Sequence, residues 1–467
     1  MKKLVIFLFL VLSLRASASV TLPAVISSNM VLQRQSEAAL WGTATANAKV
    51  TVVTSWNKRQ YAVKAGPDGA WKVKVQTAAA GGPYEITISD GKPVKLENIL
   101  IGEVWLCSGQ SNMEMPVKGF KNQPVLHTTD LLMEADNPQI RLFHVPRNVS
   151  RTPVASCNAS WNQATAESII DFSAVGYQFA KMLQEKLKVP VGIIETTWGG
   201  TVIEAWMDEQ SLQPFAGEIK IPSRETVKPD RNDATALYNG MVTPLVGYNI
   251  KGMLWYQGES NRDRAAQYRR LMPAMVKAWR TAWDCGEWPF YYVQIAPYTY
   301  NGDKGQTCLL REAQLKALPE IPNAGMAVSM DVGMESNIHP PDKTIIAKRL
   351  LYWALAKTYG YKGIPYSGPV YKSMEVAADT AKLSFDYAAN GLSTFGKPLS
   401  DFEVAGADKV FHPANAWITG SGIALKSDEV KSPVAVRYAF HSWVVGTLFN
   451  TEGLPASSFR TDEWNDK

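Results

Sequence analysis

The chain has 467 residues, 46% of them hydrophobic and 19% charged, with a net charge of +5, 15 Trp and only 5 His. At roughly 100–200 residues per domain, this length allows two to four domains with cores that need no metal or disulfide staple, and the hydrophobic content excludes a disordered chain. Beyond the N-terminus no segment reaches the ~20 apolar residues of a membrane span.

Met1-Lys-Lys3 precedes an apolar run to Leu14, and Ala16-Ser-Ala18 supplies small residues for cleavage. Residues 1–18 therefore read as a secretory signal peptide, which makes the mature chain periplasmic or extracellular. Lys2, Lys3 and Arg15 lie in this segment, so most of the +5 belongs to it and gives no argument for nucleic-acid binding. Residues 19–97 read as a small β-sandwich-like domain. Trp71–Gln76 and Tyr84–Ile88 alternate apolar with polar, and Gly66-Pro-Asp-Gly69, Gly81-Gly-Pro83 and Asp90-Gly91 mark turns between strands.

From residue 98 the pattern changes. Ile99–Leu106 is a mostly apolar run, as expected of a strand buried on both faces. Val175, Phe179, Met182 and Leu183 share one face of a helix that starts near Ser173. Val189–Ile194, Gly252–Tyr256, Phe290–Ile295 and Gly325–Asp331 follow as strands, and Lys343–Tyr359 as an amphipathic helix. This alternation predicts an α/β domain with a largely parallel sheet over residues 98–360. Residues 361–467 return to β character, with strands at Gly422–Lys426 and Val434–Phe440. Cys107, Cys157, Cys285 and Cys308 form no Cys-x-x-Cys pair, so no structural zinc is expected; an exported chain permits a Cys285–Cys308 bridge, with buried free thiols the equal alternative.

In an open α/β sheet, ligands bind beyond the carboxyl ends of the strands, so the residues after each strand are the informative ones. They are Cys107-Ser-Gly-Gln-Ser-Asn-Met113, Glu195-Thr-Thr-Trp-Gly-Gly-Thr201, Gln257-Gly-Glu-Ser-Asn261, and the stretch from Asp331 to Asp342 that contains His339. A hydroxyl, glycines, an amide, carboxylates and an imidazole are the parts of an acyl-transfer site. Ser111 is the candidate nucleophile, with Ser108 its competitor. Gly109-Gln-Ser111 lacks the second glycine of the Gly-x-Ser-x-Gly elbow, which argues against the ordinary α/β-hydrolase fold. His339 is the best of the five His, since His127, His144, His412 and His441 lie in less suitable contexts. Glu259, Asp331, Glu335 and Asp342 are all placed to orient the imidazole. The N–H groups of Ser111 and Gly199 and the side-chain amide of Gln257 are the candidate oxyanion donors.

Trp105-Leu-Cys-Ser-Gly-Gln-Ser-Asn-Met-Glu-Met-Pro116 resembles the nucleophile block of sialate O-acetylesterases, in the SGNH-type esterase superfamily. Trp198-Gly-Gly-Thr201 with Glu204-Ala-Trp206, Trp255-Tyr-Gln-Gly-Glu-Ser-Asn261, and Ile338-His-Pro340 with Asp342-Lys343 resemble its later blocks in order, as does the tail Gly453-Leu-Pro-Ala-Ser457 with Phe459-Arg-Thr-Asp462. The resemblance implies a flavodoxin-like α/β/α domain flanked by N- and C-terminal β domains. It implies a carbohydrate O-acetylesterase that needs no metal or other cofactor and is neither membrane-inserted nor nucleic-acid-binding. Ser111 would be nucleophile and His339 base. Many such enzymes carry Asp three residues before the His, where this chain has Ser336. Glu259, by likeness to related carbohydrate esterases, is then the expected acid, with Asp331 second and a backbone carbonyl third. The substrate implied first is 9-O-acetyl sialic acid, then acetylated xylan or another plant polysaccharide; a non-catalytic carbohydrate-binding protein is the distant third reading. Trp198 and Arg262 are the expected sugar contacts, since a sialate carboxylate calls for a cation and a polysaccharide for an aromatic platform.

Overall fold

The computed structural model describes residues 20–223, 228–420 and 422–464, so the expected signal peptide lies outside the described residues. The N-terminal alternation becomes strands as expected. Ala70–Gln76 buries Trp71 and Val75, exposes Lys72 and Lys74, and pairs antiparallel with Glu37–Thr43. A second antiparallel set, Lys49–Thr54 between Gln60–Lys64 and Gly81–Ser89, sends Val50, Val52, Ile86 and Ile88 into the same apolar cluster as Trp71.

The run expected from Ile99 belongs to a 17-residue strand, Pro93–Gly109, which passes without interruption through the expected domain boundary at residues 97 and 98. Its first half pairs with Gly81–Ser89, and Val31–Gln33 joins it at Leu100–Gly102. Its second half is central to a mixed sheet in the order Ala324–Ala327, Phe290–Val293, Gly252–Tyr256, Pro93–Gly109, Val191–Thr197, Asn137–His144, Trp161–Ala164. All neighbours are parallel except the last, antiparallel pair.

Period-two alternation in these strands divides their side chains between two cores. Val104, Leu106, Met253, Trp255, Phe290 and Tyr292 join the cluster that holds the helix Ala265–Trp283. Trp105, Cys107, Leu254, Tyr256, Tyr291 and Val293 face the opposite one, with the helices Ala174–Leu187 and Lys343–Trp353. The sheet is thus covered on both faces, as the buried apolar runs required. The Ala174–Leu187 helix is the expected one, N-capped by Ser173 Oγ, which accepts from Gly176 N at 3.0 Å. Ala265–Trp283 and Gln306–Ala317 add to the two expected helices. The first carries Pro273 in its interior, a residue that ordinarily argues against a helix.

The C-terminal region forms two four-stranded antiparallel sheets, one containing Gly422–Lys426 and the other Ala435–Tyr438. It is clasped to the α/β region through Gln306–Ala317. Arg311 is fully buried and donates to Ser458 Oγ at 3.1 Å and to the carbonyl oxygens of His441 and Ser442. Beside it Glu312 accepts a bidentate pair from Arg460 at 2.9 and 3.0 Å, and Gln294 donates to Ser457 Oγ at 2.7 Å. The tail motif Gly453–Asp462 is therefore a docking segment. None of the four cysteines is in a disulfide, so Cys285 and Cys308 are not bridged. Among the described residues no helix is long and apolar enough to cross a membrane. Arg311→Met strands several buried acceptors and is expected to cost about 2 kcal/mol or more. Urea unfolding checks this: an unchanged midpoint would mean that the clasp does not hold the C-terminal region.

Candidate active site

Strand register brings the first three loops together. Thr197 and Tyr256 are both paired with Gly109, so the segments starting at Gln110, Trp198 and Gln257 leave the sheet side by side. Gly109 has φ +135°, and a Cβ there would lie 2.2 Å from the Tyr256 carbonyl oxygen, so this turn accepts only glycine. Gln110 N donates to that same oxygen at 2.9 Å, and Gln110 Oε1 receives the N–H groups of Gly258 and Ser260, each at 3.3 Å.

Ser111 follows, half-buried, at the start of the short helix Ser111–Glu114. Its competitor Ser108 is fully buried within the strand, where no substrate reaches it. Gly199 packs directly on Ser111, since a Cβ at Gly199 would sit 3.1 Å from Ser111 Cβ. The Gly199 N–H donates to Glu114 Oε2 at 2.7 Å, and the Glu114 carboxylate also accepts from Arg147 Nε at 2.8 Å. The Arg147 guanidinium lies 5.5 Å from the centre of the Trp198 ring.

His339 is carried to this turn by Asn112. The buried Asn112 Nδ2 donates to Ile338 O at 3.1 Å, which links the residue after Ser111 to the residue before His339. The same amide donates to Glu259 Oε1 at 2.8 Å, and Asn112 Oδ1 accepts from Lys343 Nζ at 2.7 Å. Burial raises the Glu259 carboxyl above its ordinary range. Burial also pushes the Lys343 ammonium down to about 7, with the Glu259 charge opposing that shift. The His339 ring meets Phe120 edge-on at 5.2 Å, and its Nδ1 is hydrogen-bonded to Gln123 Oε1. Burial, helped by the Lys343 charge, lowers its pKa to about 4, so the imidazole is neutral at neutral pH and able to accept a proton.

The expected acids are placed elsewhere. Glu259 reaches Asn112, so its hold on the His339 loop is indirect. Asp331 forms a bidentate pair with Arg349, both bonds 2.7 Å, which anchors the last helix. Asp342 caps that helix by accepting from Ile345 N at 3.0 Å, and Glu335 is exposed. Gln257 is fully buried, its amide donating to Thr201 O at 3.1 Å and Asn261 Oδ1 at 2.7 Å, so it braces the loops and has no hydrogen left for an oxyanion. Arg262 lies 3.4 Å above the Tyr300 ring and donates to Glu259 O at 2.9 Å. His127, His412 and His441 pair with Asp130, Glu429 and Glu403, and His144 sits at the end of a strand against Phe172. Asn112 and Lys343 lie inside motifs read from the sequence but gave no separate signal; Gln123 lies outside all of them. Among the described residues no group of three or more His, Cys, Asp or Glu could hold a metal ion.

Residues 101–348, which include Ser111, Glu259 and His339, match the carbohydrate esterase family described as sialic acid-specific acetylesterase. The chain belongs to this family. The esterase is 30% identical to sialate O-acetylesterase of Rattus norvegicus, over 90% of its own length and 89% of that protein's. It is 30% identical to the Homo sapiens sialate O-acetylesterase, over 90% and 87% of the two chains. Its fold is similar to the crystal structure of a carbohydrate acetylesterase from Xanthomonas citri, with a TM-score of 0.87 and 38% identity over 95% of this chain and 100% of the other. The esterase is thus a carbohydrate acetylesterase with a mixed central sheet flanked by antiparallel β sheets.

Gly199→Ala must push on Ser111 by a few tenths of an ångström, and is expected to lower kcat by roughly tenfold or more while the thermal midpoint holds. Full turnover in this variant would show that the glycine does not set the position of Ser111.

Proposed function

We propose that the esterase hydrolyses sugar acetyl esters through a covalent acetyl-serine, with Ser111 as nucleophile and His339 as base. The observation that carries this reading is the Asn112 bridge, which holds the residue after Ser111 against the residue before the half-buried His339. In the first step His339 takes the Ser111 proton, Ser111 Oγ bonds to the acetyl carbon, and the carbonyl oxygen becomes an oxyanion. The Ser111 and Gly199 N–H groups receive it, the latter once Glu114 yields its bond and keeps Arg147 as partner. The imidazolium then protonates the departing sugar oxygen. A water molecule, deprotonated by the same imidazole, releases acetate and restores the serine.

For the sugar we propose O-acetylated sialic acid, with the 9-O-acetyl ester the first to test. The names of the rat and human relatives support this reading. So do two guanidinium groups at the loops around Ser111, Arg147 on Trp198 and Arg262 on Tyr300, which suit a sugar carrying a carboxylate. The same rings would also serve an acetylated plant polysaccharide, which is the second reading. The basic and apolar start of the chain supports action after export, in the periplasm or outside the cell.

Ser111→Ala is expected to abolish acetate release from p-nitrophenyl acetate, with the fold retained by circular dichroism; wild-type turnover would remove Ser111 from its role. Acetate release from 9-O-acetylated sialic acid and acetylated xylan, side by side, decides the substrate, with a higher kcat/KM expected on the sialic acid. A third check is pH. The base works only when neutral and the folded ring titrates near 4, so kcat/KM should hold as pH falls through 6.5 and decline only on approaching 4. An acid limb near 6.5 would contradict the buried, neutral imidazole.

A further inference from the structure

We infer that Gln123 is the positioning residue of His339, its side-chain amide oxygen accepting from Nδ1 so that the proton-accepting lone pair lies on Nε2. This rests on the reading of His339 as the base. The carboxylates that could have done this work have other partners: Asp331 is held by Arg349, Glu259 receives Asn112, and Asp342 caps a helix. The position three residues before the histidine is the exposed Ser336. Gln123 comes instead from a different loop, between Val117 and Thr128.

That loop is built to present it. Phe120 and Gln123 exchange backbone hydrogen bonds of 3.0 and 2.9 Å across a tight turn, entered through Gly119 at φ +77° and containing Asn122 at φ +62°. A Cβ on Gly119 would lie 2.4 Å from the Gln123 carbonyl oxygen. The loop is fastened to the histidine loop where Leu126 N donates to Pro341 O at 3.0 Å, and is closed on itself by Thr128 Oγ1, which donates to Val117 O at 2.7 Å. Both side chains of the turn meet the imidazole, Phe120 edge-on and Gln123 at Nδ1.

In a neutral imidazole one nitrogen carries the hydrogen and the other the lone pair, and an acceptor at Nδ1 decides which. An amide oxygen fixes the tautomer as a carboxylate would, but without a full negative charge to stabilise the imidazolium. The charged group acting on the ring is Lys343 at the start of the last helix, which also disfavours the protonated form. Ser111 would therefore be activated by a base whose partner is neutral.

The test compares Q123E, Q123L and H339A with wild type on p-nitrophenyl acetate across pH, with thermal midpoints measured for each. Q123E keeps the shape and the acceptor but adds a charge, so it should move the acid limb of kcat/KM up by about one unit or more. Q123L removes the acceptor and should lower kcat by roughly tenfold or more, with KM changed by less than about twofold. Nitrogen-15 NMR of labelled His339 should show the Nδ1–H tautomer in wild type and a mixture in Q123L. If H339A keeps wild-type turnover, the reading of His339 as base fails. If H339A is inactive while Q123E leaves the acid limb in place and Q123L keeps full kcat, the Gln123 assignment alone is overturned. Should Q123L not fold, Q123E decides the matter.

Discussion

The site depends on one buried amide. Asn112 donates to a carbonyl oxygen of the histidine loop and to the Glu259 carboxylate, and it accepts from the Lys343 ammonium. Two distant chain segments, at Glu259 and at Ile338–Lys343, are thereby fixed around the turn that presents Ser111. A buried polar network of this kind is stabilising only when its members are satisfied, because each unpaired group carries its full desolvation cost. Glu259 and Lys343, both buried, hold the amide from two sides and partly offset each other's charge. They hold the Asn112 amide by hydrogen bonds, and the Lys343 charge disfavours the protonated His339 ring.

The flanking regions act on the same centre mechanically. The strand that ends at Gly109 begins among the N-terminal strands, so the turn that carries Ser111 leaves a 17-residue strand whose other end is held in the N-terminal region. Glu103, midway along it, accepts from Gln33 at 3.2 Å and from the Tyr359 hydroxyl at 3.0 Å, which joins the N-terminal region to the segment after the last helix. At the other side Arg311 and Glu312 bind the C-terminal tail. The three regions share one continuous apolar cluster as well.

What the sequence disclosed follows the range over which each signal acts. Strand alternation and the helix face from Val175 to Leu183 are local, and the structure has them where the residues indicated. The orientation of buried carboxylates is not local. Asp331, expected second after Glu259, is claimed by Arg349 from the helix that follows it. Gln257 sat in a promising block, yet full burial turned its amide toward Thr201 and Asn261. The boundary near residue 98 was invisible as a continuous strand because polar Glu97 and Asn98 interrupt its apolar pattern. Pro273 hid a 19-residue helix in the same way. Gln123 gave no signal, since it meets His339 across 216 positions and stands in a loop without a motif.

The parallel register around Gly109 has a consequence in time. A parallel neighbour cannot arrive through a tight hairpin; each needs a crossover, and here the neighbours are Val191–Thr197 and Gly252–Tyr256. Ser111 leaves the ribosome early, but its glycine support, its brace and its histidine are all made later, and the tail that clasps the domain comes last. A chain growing from its N-terminus thus carries the Ser111 hydroxyl through about half of its synthesis before the proposed base, His339, is made. The order of the motifs along the polypeptide makes esterase activity the product of a finished molecule.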